Sequence, residues 1–216
     1  MYPTRIIIAD ESDLSVLGAR SVLEGSDRYR VVGWARHLDQ LLGLSNVLRA
    51  EVVVWHEDCQ TSDILTSVEQ VKAGAPAAKR LMIGSTTNGL VIRDVMEAGL
   101  DGYLYQRDEL GQCLLDALAA MMRSKSYLSP TPRAIYKGVM EHTHRRKPDP
   151  LSTAQRRMLY LLAHGASVSD IASDLQLSER RVYELRKLLR RYFNARTNAH
   201  LIQRAARDGY LRLILP

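Results

Sequence analysis

The chain has 216 residues, of which 46% are hydrophobic and 25% charged, with a formal net charge of +6. That is enough for two modest domains with packed cores, and no apolar run approaches the roughly 20 residues of a membrane-spanning helix. The opening MYPTRIIIADES has neither the apolar stretch nor the small-residue cleavage site of a secretory signal. The two cysteines, Cys59 and Cys113, are too few for a disulfide framework, so a reducing, cytoplasmic setting is expected. Residues 1–125 then alternate between strand and helix patterns. β-rich runs occur at Arg5–Ala9, Tyr29–Ala35, Glu51–Trp55, Arg80–Gly84 and Gly102–Tyr105. Helical periodicity is clearest in the last helix, where Leu110, Cys113, Leu114, Ala117, Leu118 and Met121 recur on one face. Gly99 stands where a helix would stop. Near-continuous apolar strands alternating with helices predict an α/β unit, a doubly wound five-stranded parallel sheet covered on both faces. In such sheets, sites lie outside the carboxyl ends of the strands. Those ends carry Asp10–Glu11, His56–Asp58, Ser85–Thr87 and Gln106.

After Lys125 the pattern changes. YLSPTPRAIYKGVMEHTHRRKPDP, with four prolines and the basic cluster Arg145–Lys147, reads as a linker over 126–148, with a short helix around Arg133–His142. Beyond it every signal is helical, and residues 149–216 form a second domain. Charge divides the same way. Residues 1–125 carry 13 Lys and Arg against 17 Asp and Glu, a net of −4, whereas residues 126–216 carry 17 against 7, a net of +10. A basic half favours a polyanionic partner, although charge alone decides little.

In the second domain a first helix starts after Ser152 or Thr153, buries Met158, Leu159 and Leu162, and stops at Gly165. A second places Val168, Ile171, Ala172 and Leu175 on one face. A tight turn follows, with Ser178 as the N-cap of a third helix. That helix buries Val182, Leu185, Leu189 and Phe193 and turns Arg180, Tyr183, Glu184, Lys187 and Arg191 outward. Two short helices, a tight turn and a helix with a basic outer face describe a helix-turn-helix. The candidate DNA-contacting set is Arg180, Arg181, Tyr183, Glu184, Lys187, Arg190 and Arg191. The stretch LSTAQRRMLYLLAHGASVSDIASDLQLSERRV resembles the four-helix LuxR-type DNA-binding domain. Where that family usually has Thr-Val-Lys, this chain has Arg181-Val182-Tyr183, and Gln155 or Arg156 replaces a glutamate common in the first helix.

Residues 4–123 resemble the receiver domain of two-component response regulators, so the chain as a whole resembles the NarL/FixJ-type architecture. The resemblance implies an acidic pair after strand one to hold Mg²⁺, an acceptor aspartate ending strand three, a hydroxyl after strand four and a lysine after strand five. Carried over residue by residue, the acidic pair is Asp10 and Glu11 and the hydroxyl is Ser85. The acceptor position, reached through AEVVVWH, is His56; the lysine position, reached through GYLYQR, is Gln106. A dianionic phosphoryl group needs a metal and a cation beside it, and here its acceptor is missing as well. The expectation is a degenerate pocket of Asp10, Glu11, His56, Ser85 and Gln106. Within it, His56 forms an ion pair with Asp10 and Glu11 in place of a metal. Adjacent residues rarely converge on one ion, so His56-Glu57-Asp58-Cys59 is not read as a metal site.

The sequence has no nucleophile–base pair, no Gly-rich phosphate loop and no zinc spacing, so no enzyme and no cofactor are expected. The expected function is DNA-binding transcription regulation independent of aspartyl phosphorylation, by a homodimer on double-stranded DNA. A partner protein or small ligand at the receiver-like unit is a further candidate, and no membrane is involved. The alternative is a phosphorylation-driven regulator that uses Asp58. An interaction module whose helix-turn-helix does not bind DNA is disfavoured by the basic third helix.

Overall fold

In the computed structural model, residues 2–59, 63–142, 151–208 and 210–211 are described. The chain divides into two compact units, Met1–Glu141 and His142–Pro216.

The first unit is built on a parallel sheet of β1 (Thr4–Ala9), β2 (Tyr29–Ala35), β3 (Val52–His56), β4 (Lys79–Gly84), β5 (Gly102–Tyr105) and β6 (Tyr127–Leu128), in the order β2-β1-β3-β4-β5-β6. Its crossovers are α1 (Asp13–Glu24), α2 (Leu38–Val47), α3 (Ile64–Gly74), α4 (Gly89–Ala98) and α5 (Leu110–Met121). The strands are apolar on both sides because helices cover both sides. Ile6, Val52, Val54, Leu81 and Leu104 pack with α1 and α5 residues such as Leu23, Leu114 and Leu118. Ile7, Val53, Trp55, Met82 and Tyr103 pack with α2, α3 and α4 through Leu41, Val68 and Val95. Each such side chain contributes about 1.5–3 kcal/mol on leaving water. Parallel pairing sets Ala9 beside Trp55 and His56 beside Ile83. The ends of β1, β3 and β4 therefore share one edge of the sheet. Gly99 closes α4 at a positive φ of 115°, which a Cβ would disfavour.

The five-stranded sheet with a linker from 126 needs correcting. Tyr127–Leu128 adds a sixth strand beside β5, and α6 (Pro130–His142) follows. Leu128 and Tyr136 pack into the core on the α3–α4 side. Two of the four prolines that argued for a linker, Pro130 and Pro132, sit in the first turn of α6, where a missing N–H costs no hydrogen bond; the other two lie outside the described residues. Three contacts hold the segment. The Arg133 guanidinium lies 5.1 Å from the centre of the Tyr127 ring. Tyr127 is pushed up to about 12, first by burial and then by Cys113. The Cys113 thiol is itself pushed up, chiefly by burial. Asp108 accepts from the Thr131 hydroxyl (2.6 Å) and the Thr131 N–H (3.1 Å), supplying from another loop the acceptor an N-cap would give. The basic cluster Arg145–Lys147 lies outside the described residues.

Burial pushes the Asp108 carboxyl up, but hydrogen bonds from Ser129 and Thr131 outweigh it, and the net shift is down. A folded-state value below the ordinary one stabilises the protein at neutral pH, and that contribution fades as pH falls through the lowered value. Asp108→Ala should cost about 1 kcal/mol, read as a lower urea midpoint at pH 7. The gap between variant and parent should narrow on acidification; a constant gap down to pH 3 would contradict it.

The described part of the second unit has four helices, α7 (Thr153–Ala163), α8 (Val168–Asp174), α9 (Glu179–Tyr192) and α10 (Asn198–Arg207). Their core joins Leu151, Met158, Leu159, Ile171, Val182, Leu189, Phe193 and Leu201. Each start is capped by a short polar residue: Ser152, Ser167, Ser178 and Thr197 accept from N–H groups of the first turn. Gln155 closes a capping box by accepting from Ser152 N–H at 2.7 Å. The amide oxygen does a carboxylate's work without its charge. Arg157 forks onto Asp174 at 2.8 and 2.9 Å, tying α7 to α8. No helix among the described residues is long and apolar enough to cross a membrane.

Candidate nucleic-acid interface and strand-end pocket

The candidate interface is the outer face of α9. Val182 and Leu189 are fully buried, with Leu185 and Phe193 beside them, so the helix cannot roll. Its opposite face exposes Arg180, Arg181, Tyr183, Glu184, Lys187 and Arg191. Glu184 organises the first turns. Its carboxylate is 2.8 Å from Arg181 Nη1 and 3.6 Å from Arg180 Nε. The Arg181 hydrogen bond leads in holding the Glu184 carboxyl below its ordinary range. The Arg186 guanidinium stacks 4.6 Å from the Tyr183 ring centre, fixing the direction of the phenol.

Arg190, included in the candidate DNA-contacting set, lies apart from that face: its Nη2 donates to Asn198 Oδ1 of α10 at 2.7 Å. At 100° per residue it falls at the margin of the buried stripe, beside α10 rather than opposite the core. Sequence reasoning passed over Arg186, Leu188 and Tyr192. Leu188 lies one turn after Glu184, and both it and Tyr192 are nearly half exposed.

The second candidate site is the carboxyl edge of the sheet. A one-turn 3-10 helix, Glu57–Cys59, follows β3 directly. It folds Asp58 back onto His56, whose Nδ1 lies 3.2 Å from Asp58 Oδ2 and 3.3 Å from the Asp58 N–H. On the other side, His56 Nε2 is 3.2 Å from Gln106 Oε1. An amide oxygen only accepts, so Nε2 carries the proton. Nδ1 then either accepts from the Asp58 backbone or, when protonated, pairs with its carboxylate. The expected ion pair of His56 with Asp10 and Glu11 is replaced by these contacts. Asp10 instead accepts from Ser12 N–H at 2.8 Å, in the turn that opens α1.

The 3-10 turn brings the Cys59 thiol next to the acidic pair. Burial first, then the charges of Asp10 and Glu11, push it up to about 12, so it stays protonated at neutral pH. Ser85 is turned to Glu57, which takes both its N–H, at 2.8 Å, and its hydroxyl. Of the five predicted pocket residues, the fold joins His56 to Gln106 directly and leaves Ser85 with a partner outside the predicted set.

No family model matches the sequence. The transcriptional regulatory protein MctR of Rhizobium johnstonii is 23% identical over 205 residues, covering 95% of this chain and 94% of that protein. The nitrate/nitrite response regulator NarP of Escherichia coli is 26% identical over 198 residues, 88% of each. Among solved structures, RcsB of Salmonella typhimurium superposes with a TM-score of 0.73 at 20% identity, covering 97% of this chain and 100% of that one. The chain thus shares the fold of RcsB along nearly its whole length. An RcsB–DNA complex matches with a TM-score of 0.61 at 20% identity, over 94% of this chain and 98% of that chain. His56 and Gln106, the two strand-end positions expected to depart from the receiver pattern, are bonded to each other.

Proposed function

We propose that the chain is a sequence-specific DNA-binding transcription regulator of the response-regulator type, acting as a homodimer without aspartyl phosphorylation. The observation that carries the first part is the exposed face of α9: cations and a tyrosine on a helix immobilised by a buried opposite stripe. A recognition helix needs a rigid mount, groups for phosphates and groups for base edges. Arg180 and Arg191 suit phosphates. Lys187, Tyr183 and Glu184 suit base edges. Relatives named as transcriptional regulators, and RcsB solved on DNA and as dimers on DNA, support the reading.

The second part rests on the pocket. Imidazole at position 56 forms no aspartyl phosphate, and Gln106 supplies no cation. Mg²⁺ takes oxygen ligands, whereas the group set against the acidic pair here is the thiol of Cys59. The donor set does not fit that ion. Asp58, in the 3-10 turn after β3 and 36% exposed in its side chain, is the residue that a phosphorylation-driven reading would use.

Binding of the full chain to labelled duplex DNA across a salt series tests the first part. Affinity should fall steeply and linearly on logarithmic axes as phosphate counterions are retained. Salt-independent or absent binding would defeat the proposal. Sedimentation of untreated protein on its selected site should give two chains per duplex, and one chain would defeat the homodimer. Intact mass after acetyl phosphate should be unchanged; an added phosphoryl on Asp58 would favour the alternative. Glu184→Ala should release Arg180 and Arg181 toward phosphates and tighten binding to random DNA several-fold while flattening base preference. Weaker binding to random DNA would show that Glu184 does not restrain those arginines.

A further inference from the structure

We infer that Glu57 is a built-in anionic partner of Ser85, holding the loop between β4 and α4, residues 85–88, in a single arrangement. The inference rests on the phosphorylation-independent reading above and adds a positioning residue to it. By the receiver resemblance, the hydroxyl after strand four meets a phosphoryl group added to strand three. Here a carboxylate of the chain meets it instead. The Ser85 N–H donates to Glu57 Oε1 at 2.8 Å and the Ser85 hydroxyl donates to the same oxygen. Two protons converging on one carboxylate oxygen form charge-assisted hydrogen bonds, about twice as strong as neutral ones.

Two local features bring Glu57 there. The 3-10 turn Glu57–Cys59 starts immediately after β3, so Glu57 is aimed toward neighbouring β4 rather than onward into a loop. β4 ends in Gly84, and a Cβ on that residue would stand 2.7 Å from Glu57 Oε2 and 2.6 Å from the Tyr103 hydroxyl. The missing side chain is the space that the carboxylate and the phenol fill.

The arrangement continues into α4. Tyr103 is fully buried, and its hydroxyl accepts from Thr86 N–H at 2.9 Å and donates to the Thr86 carbonyl at 3.3 Å. Thr86 Oγ1 accepts from Asn88 N–H at 3.3 Å. Asn88 Oδ1 in turn accepts from the Leu90 and Val91 N–H groups at 2.9 and 3.3 Å, capping the helix. From Glu57 to the first turn of α4, successive loop groups are bonded to the chain's own atoms. An added anion would have to displace Glu57 from Ser85 to engage this loop.

The test is amide hydrogen exchange over residues 85–91 in the full chain, without DNA or phosphodonor. Glu57→Ala should speed exchange there at least about tenfold, with α9 unchanged. Glu57→Gln, which keeps an oxygen for the Ser85 N–H but loses the charge, should fall between. If Glu57→Ala does not fold, Glu57→Gln alone decides. Exchange indistinguishable from the parent in the folded variant overturns the inference. Phosphorylation of the parent by acetyl phosphate would defeat the phosphorylation-independent reading, whereas unchanged exchange defeats only the role of Glu57, so the two failures separate.

Discussion

Lys187→Ala is expected to weaken binding to the preferred operator by about tenfold to a hundredfold while leaving random DNA nearly untouched, the loss typical of one base-edge contact. Arg191→Ala should behave differently, weakening all sequences alike and lowering the slope of affinity against salt by about one. The contrast follows from position. Both residues are exposed on the face of α9 opposite Val182 and Leu189, but Lys187 lies one turn beyond Tyr183 and Arg191 lies in the last turn. In a helix that enters the groove by its first turns, the last turn runs out toward the backbone. Fluorescence anisotropy on a selected operator and a scrambled duplex, each over a salt series, measures all four quantities. Parent-like affinity for both variants on the operator would remove this face of α9 from the interface. Equal losses on both duplexes for Lys187→Ala would keep the interface and reassign Lys187 to a phosphate.

The second large effect concerns the strand-end pocket. His56→Asp alone is expected to accept no phosphoryl group from acetyl phosphate, because Gln106 still supplies no cation and the displaced imidazole leaves its amide without the 3.2 Å partner. His56→Asp with Gln106→Lys restores both the acceptor and the charge. It should gain one phosphoryl mass in a fraction of the molecules, the difference between none and some. Addition of Glu57→Ala should raise that fraction further by releasing the Ser85 hydroxyl. Intact mass spectrometry reads all three. Stable labelling of His56→Asp alone would show that the pocket has kept a cation that this account does not contain.

Much of this molecule is legible before any coordinates. The strand runs Arg5–Ala9 and Gly102–Tyr105 can be read because a sheet covered on both faces needs apolar residues without interruption. The buried stripe of α9 is legible because a 3.6-residue period admits one inward face. Ser178 is legible as a cap because its hydroxyl satisfies an N–H that no helical carbonyl can reach. β6 and α6 are obscured by their prolines, which resemble linker composition but occupy helix-start positions, and by a strand of only two residues. Within the pocket, alignment by strand ends located His56, Ser85 and Gln106 but not their contacts. Glu57 is invisible in the string because its partner is 28 residues away, and its approach depends on the turn after β3 and on a glycine ending β4. Asp58 meets His56 for the same local reason, a backbone reversal that composition does not encode.

Cys59 and Cys113 are both buried, and both thiols are held in the protonated form by their surroundings. Thiolate is the species that attacks an electrophilic dye or spin label, and burial disfavours it at both side chains. The native protein is therefore expected to react slowly with maleimides and methanethiosulfonates. One cysteine introduced at an exposed position of α9 and another on an exposed position of the first unit would be the two fast-reacting thiols. Distances between the two units, free and on DNA, become measurable by electron paramagnetic resonance or energy transfer without first stripping the chain of its own cysteines.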